Sequence, residues 1–202
     1  LLELGPKEIA KLLQRAQFFK KGRRKRSGKA LLKGKTLALL FEKASTRTRV
    51  SFEVAMFELG GNSLPLSNNS SQLGRGETYA DTARVLSRYV HGIVIRTFAQ
   101  KTVEELAGAA TVPVINGLSD FYHPCQILTD LLTVQEVKKD FLKSLKRKIA
   151  YVGDGNNMAN TWIVAAHILK FPLFIATPKG YEPPAEILER FGEQIHLSND
   201  PQ

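Results

Sequence analysis

Ser45, Thr46, Arg47, Thr48 and Arg49 run consecutively in FEKASTRTR (41–49), where an apolar stretch gives way to VSFEVAMFELGG. Short hydroxyls beside planar, permanently charged guanidinium forks suit a phosphate. A strand-to-helix junction would add the first free backbone N–H groups of the helix and the positive end of its dipole, so the segment reads as an anion cradle built without the glycines of a P-loop. It reads equally as an ordinary Ser/Thr N-cap with Arg47 and Arg49 paired to surface carboxylates, for instance Glu53 four residues after Arg49.

Two more polar groups stand at corresponding places. Arg96 ends the apolar run of GIVIRTF, and His123, Pro124 and Gln126 open the helical pattern of DFYHPCQILTDLL. Singly, these are a strand-end ion pair, a cap, a helix starter and a capping-box partner. Together with 45–48 they make three loops that a parallel α/β sheet would bring to the side where its strands end and ligands collect. Cys125 beside His123 suggests Cys–His nucleophilic catalysis, but the chain offers no third member for that set. In VGDGNNMANTW the G-x-G-x-x-G spacing of a dinucleotide fold is missing, and Asn156 and Asn160 read as turn and helix-start residues.

The elements that must position these groups alternate. Strand-length apolar runs are predicted at 36–41, 92–97, 112–116, 148–153 and 172–177, and helical spacing at 50–59, 78–90, 101–110, 124–138 and 157–170, with a further short strand before the chain's last residues. Runs such as LALL and IVI do not alternate, as expected of strands buried on both faces. The predicted class is α/β, with parallel sheet flanked by helices in two similar domains, 1–143 and 144–202, meeting in the charged stretch near 140–147. The second is expected to be incomplete, since so short a domain would leave a sheet edge uncovered.

At 202 residues and 43% hydrophobic content the chain can bury a sizeable core. The 29 Lys and Arg against 19 Asp and Glu leave a formal charge of +10, which favours anionic partners. The run FFKKGRRKRSGKALLKGK (18–35) is either a nucleic-acid or membrane-surface patch or a solvated connection. With no aromatic beyond Phe18 and Phe19 to stack bases, the connection is preferred and no nucleic-acid partner is expected. One cysteine excludes an internal disulfide framework. No stretch approaches the roughly 18 apolar residues of a membrane span, and the opening LLELGPKEIAKLL lacks the order of a secretory signal. The reading is a soluble cytoplasmic protein, or one of an organelle matrix.

FEKASTRTRVSFE, SSQLGRGETYADTARVLSRY, Arg96 and HPCQILTDLLTVQE together resemble the aspartate and ornithine carbamoyltransferase family, in order and over nearly the whole chain. HPCQ, SQLGRGE and VGDGNNMANTW are similar to its ornithine-specific branch, although putrescine-type relatives share much of the pattern. The resemblance implies transfer of the carbamoyl group of carbamoyl phosphate to the δ-amine of L-ornithine through a tetrahedral intermediate, with neither cofactor nor metal. It implies that Ser45, Thr46, Arg47 and Thr48 grip the phosphate and that Arg96 and His123 polarise the carbonyl while Gln126 orients the amide. Asn157 would bond the amino-acid end of ornithine, and Gln72 would serve the site of a neighbouring subunit in a homotrimer. The family's later D-x-x-x-S-M-G and H-C-L-P motifs do not occur in these 202 residues. The chain alone is therefore expected to bind phosphate weakly and to turn over little.

Overall fold

Strand and helix alternate in the computed structural model, which describes residues 1–24, 30–67, 76–138 and 148–201. Gln72, the centre of the basic run at 25–29 and the expected domain boundary at 140–147 lie outside the described residues. The chain forms two compact units, Lys21–Asp120 and Leu1–Lys20 with Phe121–Gln202. Each has its own all-parallel sheet flanked by helices, the predicted class.

In the Lys21–Asp120 unit, β1 (Thr36–Phe41), β2 (Asn62–Ser67), β3 (Gly92–Arg96) and β4 (Val114–Leu118) stand in the order β2-β1-β3-β4. β1 and β3 are central, and Ala38, Leu39, Leu40, Ile93, Val94 and Ile95 are fully buried, so their unbroken apolar runs are what cover on both faces demands. One face, Ala38 with Leu40, Ile93 and Ile95, packs with Ala83 of α3 (Tyr79–Leu86) and with Val103 and Leu106 of α4 (Gln100–Ala109). Sequence patterning missed β2, whose NSLPLS carries Pro65 opposite Leu39. Proline is tolerated there because β2 is an edge strand and needs only half a ladder. Between β1 and β2 runs α2 (Thr46–Glu58), which ends at Gly60 with φ +79, followed by Gly61, where a Cβ would stand 2.6 Å from Met56 Cε.

The other unit has β5 (Ile149–Val152), β6 (Leu173–Ala176) and β7 (Ile195–Ser198) in that order. Its core is α6 (Asn157–Leu169), buried at every position from Ala159 to Ala166, which is why this helix is apolar nearly all round. It packs with Ile9 and Leu13 of α1 (Pro6–Arg24), Ile127 and Leu131 of α5 (Pro124–Val137), Leu173 and Ile175 of β6, and Ile187 and Phe191 of α7 (Ala185–Phe191). Among the described residues no helix is long and apolar enough to cross a membrane.

Candidate functional site

Ser45 is the N-cap of α2, extended at φ −157 and ψ 108, and its Oγ accepts from the Thr48 backbone N–H at 3.3 Å. A helix start ordinarily carries acidic side chains, which the dipole favours. The first turn of α2 carries none and instead holds Arg47 and Arg49. Arg49 finds a local partner, its Nε donating to Glu53 Oε1 at 2.8 Å one turn along the helix. Of the two readings of this loop, the carboxylate pairing holds for Arg49 and fails for Arg47, which is exposed and has no carboxylate partner among the described residues.

Arg96 supplies a second cation to the same end of the sheet. It closes β3 opposite Phe41, the last residue of β1. A bulge lies at this point, because Ile95 pairs with Asn116 but Arg96 with Leu118, leaving Gly117 as an extra residue. Such bulges turn the side chain beside them, here Arg96. Its Nη1 donates to Thr48 Oγ1 at 3.3 Å, while its buried Nε has no partner among the described residues. Burial, and after it the neighbouring Arg47 guanidinium, hold the Arg96 pKa below its usual value. Two guanidiniums repelling one another at a dipole-positive helix end, neither paired to a carboxylate among the described residues, make a local positive field that an anion would relieve.

Because Arg49 spends its charge on Glu53, Arg49→Ala should lose only about 0.3–0.5 kcal/mol of stability. Phosphate affinity should change less than about threefold, read by NMR shift titration. A loss as large as that of an Arg47 variant would overturn this division of roles.

In the unit of residues 1–20 and 121–202, His123 is the N-cap of α5, with Pro124 in the first turn as predicted. His123 does not cap with its side chain, and Gln126 Nε2 donates forward to Asp130 Oδ1 at 2.9 Å instead of back to the cap. The capping-box reading of Gln126 therefore fails. Asn157 opens α6, and one hydroxyl joins it to His123. Thr161 Oγ1 accepts from the His123 backbone N–H at 2.8 Å and donates to the Asn157 carbonyl at 2.6 Å. Asn156 is the N-cap of α6, its Oδ1 accepting from Met158 N at 2.8 Å, in line with its turn reading. Asn160 is not a helix-start residue. It is buried one turn into α6, where its Nδ2 donates to the Phe121 carbonyl at 3.2 Å and so holds the segment leading to His123.

The structure thus brings Ser45, Arg47, Thr48 and Arg96 together in one unit, with Thr46 exposed beside them, and links His123 with Asn157 in the other, where Gln126 lies on α5. Sequence reasoning missed Thr161 and did not see the contact that Asn160 makes with the Phe121 carbonyl, although both residues lie in the motif NMANTW. It also missed Glu42, Tyr79 and Thr97, whose hydroxyl-to-carboxylate bonds span 37 and 55 residues. Burial pushes the Cys125 thiol up, which works against a thiolate nucleophile. Its alkylation by iodoacetamide at pH 7 should be about tenfold or more slower than that of a free thiol, and equal rates would reopen the nucleophile reading.

Residues 1–136 match the model of the carbamoyl-P binding domain of aspartate/ornithine carbamoyltransferases, and residues 145–202 match that of the Asp/Orn binding domain. A curated relative from Syntrophotalea carbinolica, an ornithine carbamoyltransferase, is 60% identical over 85% of this chain and 57% of its own length. Another ornithine carbamoyltransferase, from Pelobacter propionicus, is 53% identical over 96% of the chain and 64% of its own. The chain thus spans roughly three fifths of the length of these relatives. Among solved structures, the ornithine carbamoyltransferase of Pyrococcus furiosus aligns with a TM-score of 0.88 at 48% identity, over 96% of this chain and 64% of that one. That of Burkholderia thailandensis aligns with 0.91 at 40%, over 98% and 68%.

Proposed function

The chain belongs to the aspartate/ornithine carbamoyltransferase family, and from that premise we propose that it transfers the carbamoyl group of carbamoyl phosphate to the δ-amine of L-ornithine, giving L-citrulline and phosphate. The observation that carries the reading is the pair Arg47 and Arg96 beside the α2 amino terminus, cations with no carboxylate partner among the described residues. A dianionic small metabolite suits such a field better than a neutral one.

Each residue has a chemical task. Ser45, Thr46, Arg47 and Thr48 bind the phosphate oxygens, with the backbone N–H groups of the α2 start. The neutral δ-amine attacks the carbonyl carbon, and the displaced electron pair moves to the carbonyl oxygen, where Arg96 and His123 stabilise it. The pair on the oxygen then re-forms the carbonyl, the carbon–oxygen bond to phosphate breaks with its electrons going to the phosphate, and the amine nitrogen passes its proton to the departing phosphate. Gln126 orients the carbamoyl amide, and Asn157 bonds the amino-acid end of ornithine. His123 acts as a neutral donor, since a helix amino terminus disfavours imidazolium. Gln72 reaches the site of a neighbouring subunit in a homotrimer. Domains of 1–143 and 144–202 accord with the residues matched by the two family models.

The reading is tested with carbamoyl phosphate offered against ornithine and putrescine. Citrulline, formed slowly by this chain, is the expected product, and carbamoylputrescine alone would move the chain to an amine-specific reading.

A further inference from the structure

Glu42 follows the last residue of β1 and stands three residues before Ser45. Its backbone N–H donates to the Arg96 carbonyl at 2.9 Å, carrying the β1–β3 ladder one step past the strands. Its carboxylate collects two hydroxyls from elsewhere in the unit. Oε1 accepts from the phenol of Tyr79, the first residue of α3, and Oε2 accepts from Thr97 Oγ1. Thr97 directly follows Arg96 and is 1% exposed. The Tyr79 pKa is held above its usual value by burial first and then by the Glu42 carboxylate, so the phenol remains a donor.

One half-buried carboxylate therefore ties three segments together: the end of β1 that leads into the 45–48 loop, the residue behind Arg96, and the start of α3. Charge-assisted bonds of this kind are about twice as strong as neutral ones, and their direction fixes geometry as well as adding energy. Electrostatics alone would keep an acid away from an anion site. Its presence here is explained by what it holds.

We propose that Glu42 is a positioning residue of the anion site, using the Thr97 and Tyr79 hydroxyls to set Arg96 and the first turn of α2 at the spacing an anion requires. The proposal rests on the cradle reading of residues 45–48 and Arg96.

The test is an NMR shift titration of the chain with inorganic phosphate, which reads millimolar affinities, paired with thermal unfolding of every variant. Thr97→Val removes the hydroxyl without changing charge or shape and should weaken phosphate binding by about tenfold, whereas Thr97→Ser should restore it. Glu42→Ala should also weaken binding, although losing a negative charge near an anion would by itself tighten it. Val90→Ala, two residues before β3, serves as a control for destabilisation and should bind like the parent. Folded Glu42→Ala and Thr97→Val proteins that bind phosphate as well as the parent, or better, would overturn the proposal. If Glu42→Ala does not fold, the Val and Ser variants at Thr97 decide. When Arg47→Ala loses binding and Thr97→Val keeps it, the cradle stands and the role of Glu42 falls. A parent without phosphate binding, or an Arg47→Ala protein that retains it, removes both.

Discussion

Arg47→Ala is expected to abolish phosphate and carbamoyl phosphate binding, a loss of about a hundredfold or more, while the melting temperature stays level or rises slightly. The guanidinium lies in the first turn of α2, where it opposes the helix dipole, and it crowds Arg96. Without a bound anion, both effects cost stability, on the order of 0.3–1 kcal/mol for the dipole term. Removing the charge relieves the folded protein and deprives the ligand. Affinity and stability should thus move in opposite directions, which an arginine merely buttressing the fold would not show. Titration with each anion beside a thermal melt is the measurement, and either retained affinity or a fall of many degrees would refute the assignment.

Gly155→Ala should be the most destabilising single methyl addition in the unit of residues 1–20 and 121–202. A Cβ at Gly155 would stand 2.2 Å from Pro183 N, 2.3 Å from the Glu182 carbonyl carbon and 2.6 Å from its oxygen, while the Gly155 N–H donates to the Tyr181 carbonyl at 2.6 Å. Those neighbours are backbone, one a proline nitrogen, and cannot swing aside as a side chain would. Overpacking costs about 1–3 kcal/mol where neighbours can adjust, so about 3 kcal/mol or more is expected here. In a unit of this size that lowers the melting temperature by roughly 12 °C or more. The glycine in GDGNN then serves a close backbone approach between two loops, not a nucleotide. A variant that melts with the parent would leave room for a ligand-facing role.

The legible part of the site lay where function requires an unusual local choice. Basic residues in the first turn of α2, and a proline after His123 at the start of α5, break or mark local rules within a few residues and can be read without a fold. The same holds for β1 and β3, whose continuous apolar runs announced burial on both faces. β2 was hidden because Pro65 contradicts strand patterning and only the edge position excuses it. Glu42 was in plain view within FEKASTRTR yet passed unread, since its partners Tyr79 and Thr97 lie 37 and 55 residues away. Asn160 was misread as a helix-start residue because its partner, the Phe121 carbonyl, is 39 residues distant.

By itself the sequence determined the alternation of strands and helices, the parallel α/β class, and the residues with chemistry to offer an anion, because period, caps and charge are properties of neighbours along the chain. Only the tertiary structure decided that Arg47, unlike Arg49 with the Glu53 its spacing had offered, has no carboxylate partner among the described residues, and that a bulge at Gly117 turns Arg96 toward Thr48. It also decided that residues 1–20 pack with 121–202. The physical reason is common to all three. Which of several possible partners a side chain or helix face takes is set by distances across the folded chain, and spacing along the sequence carries no record of them.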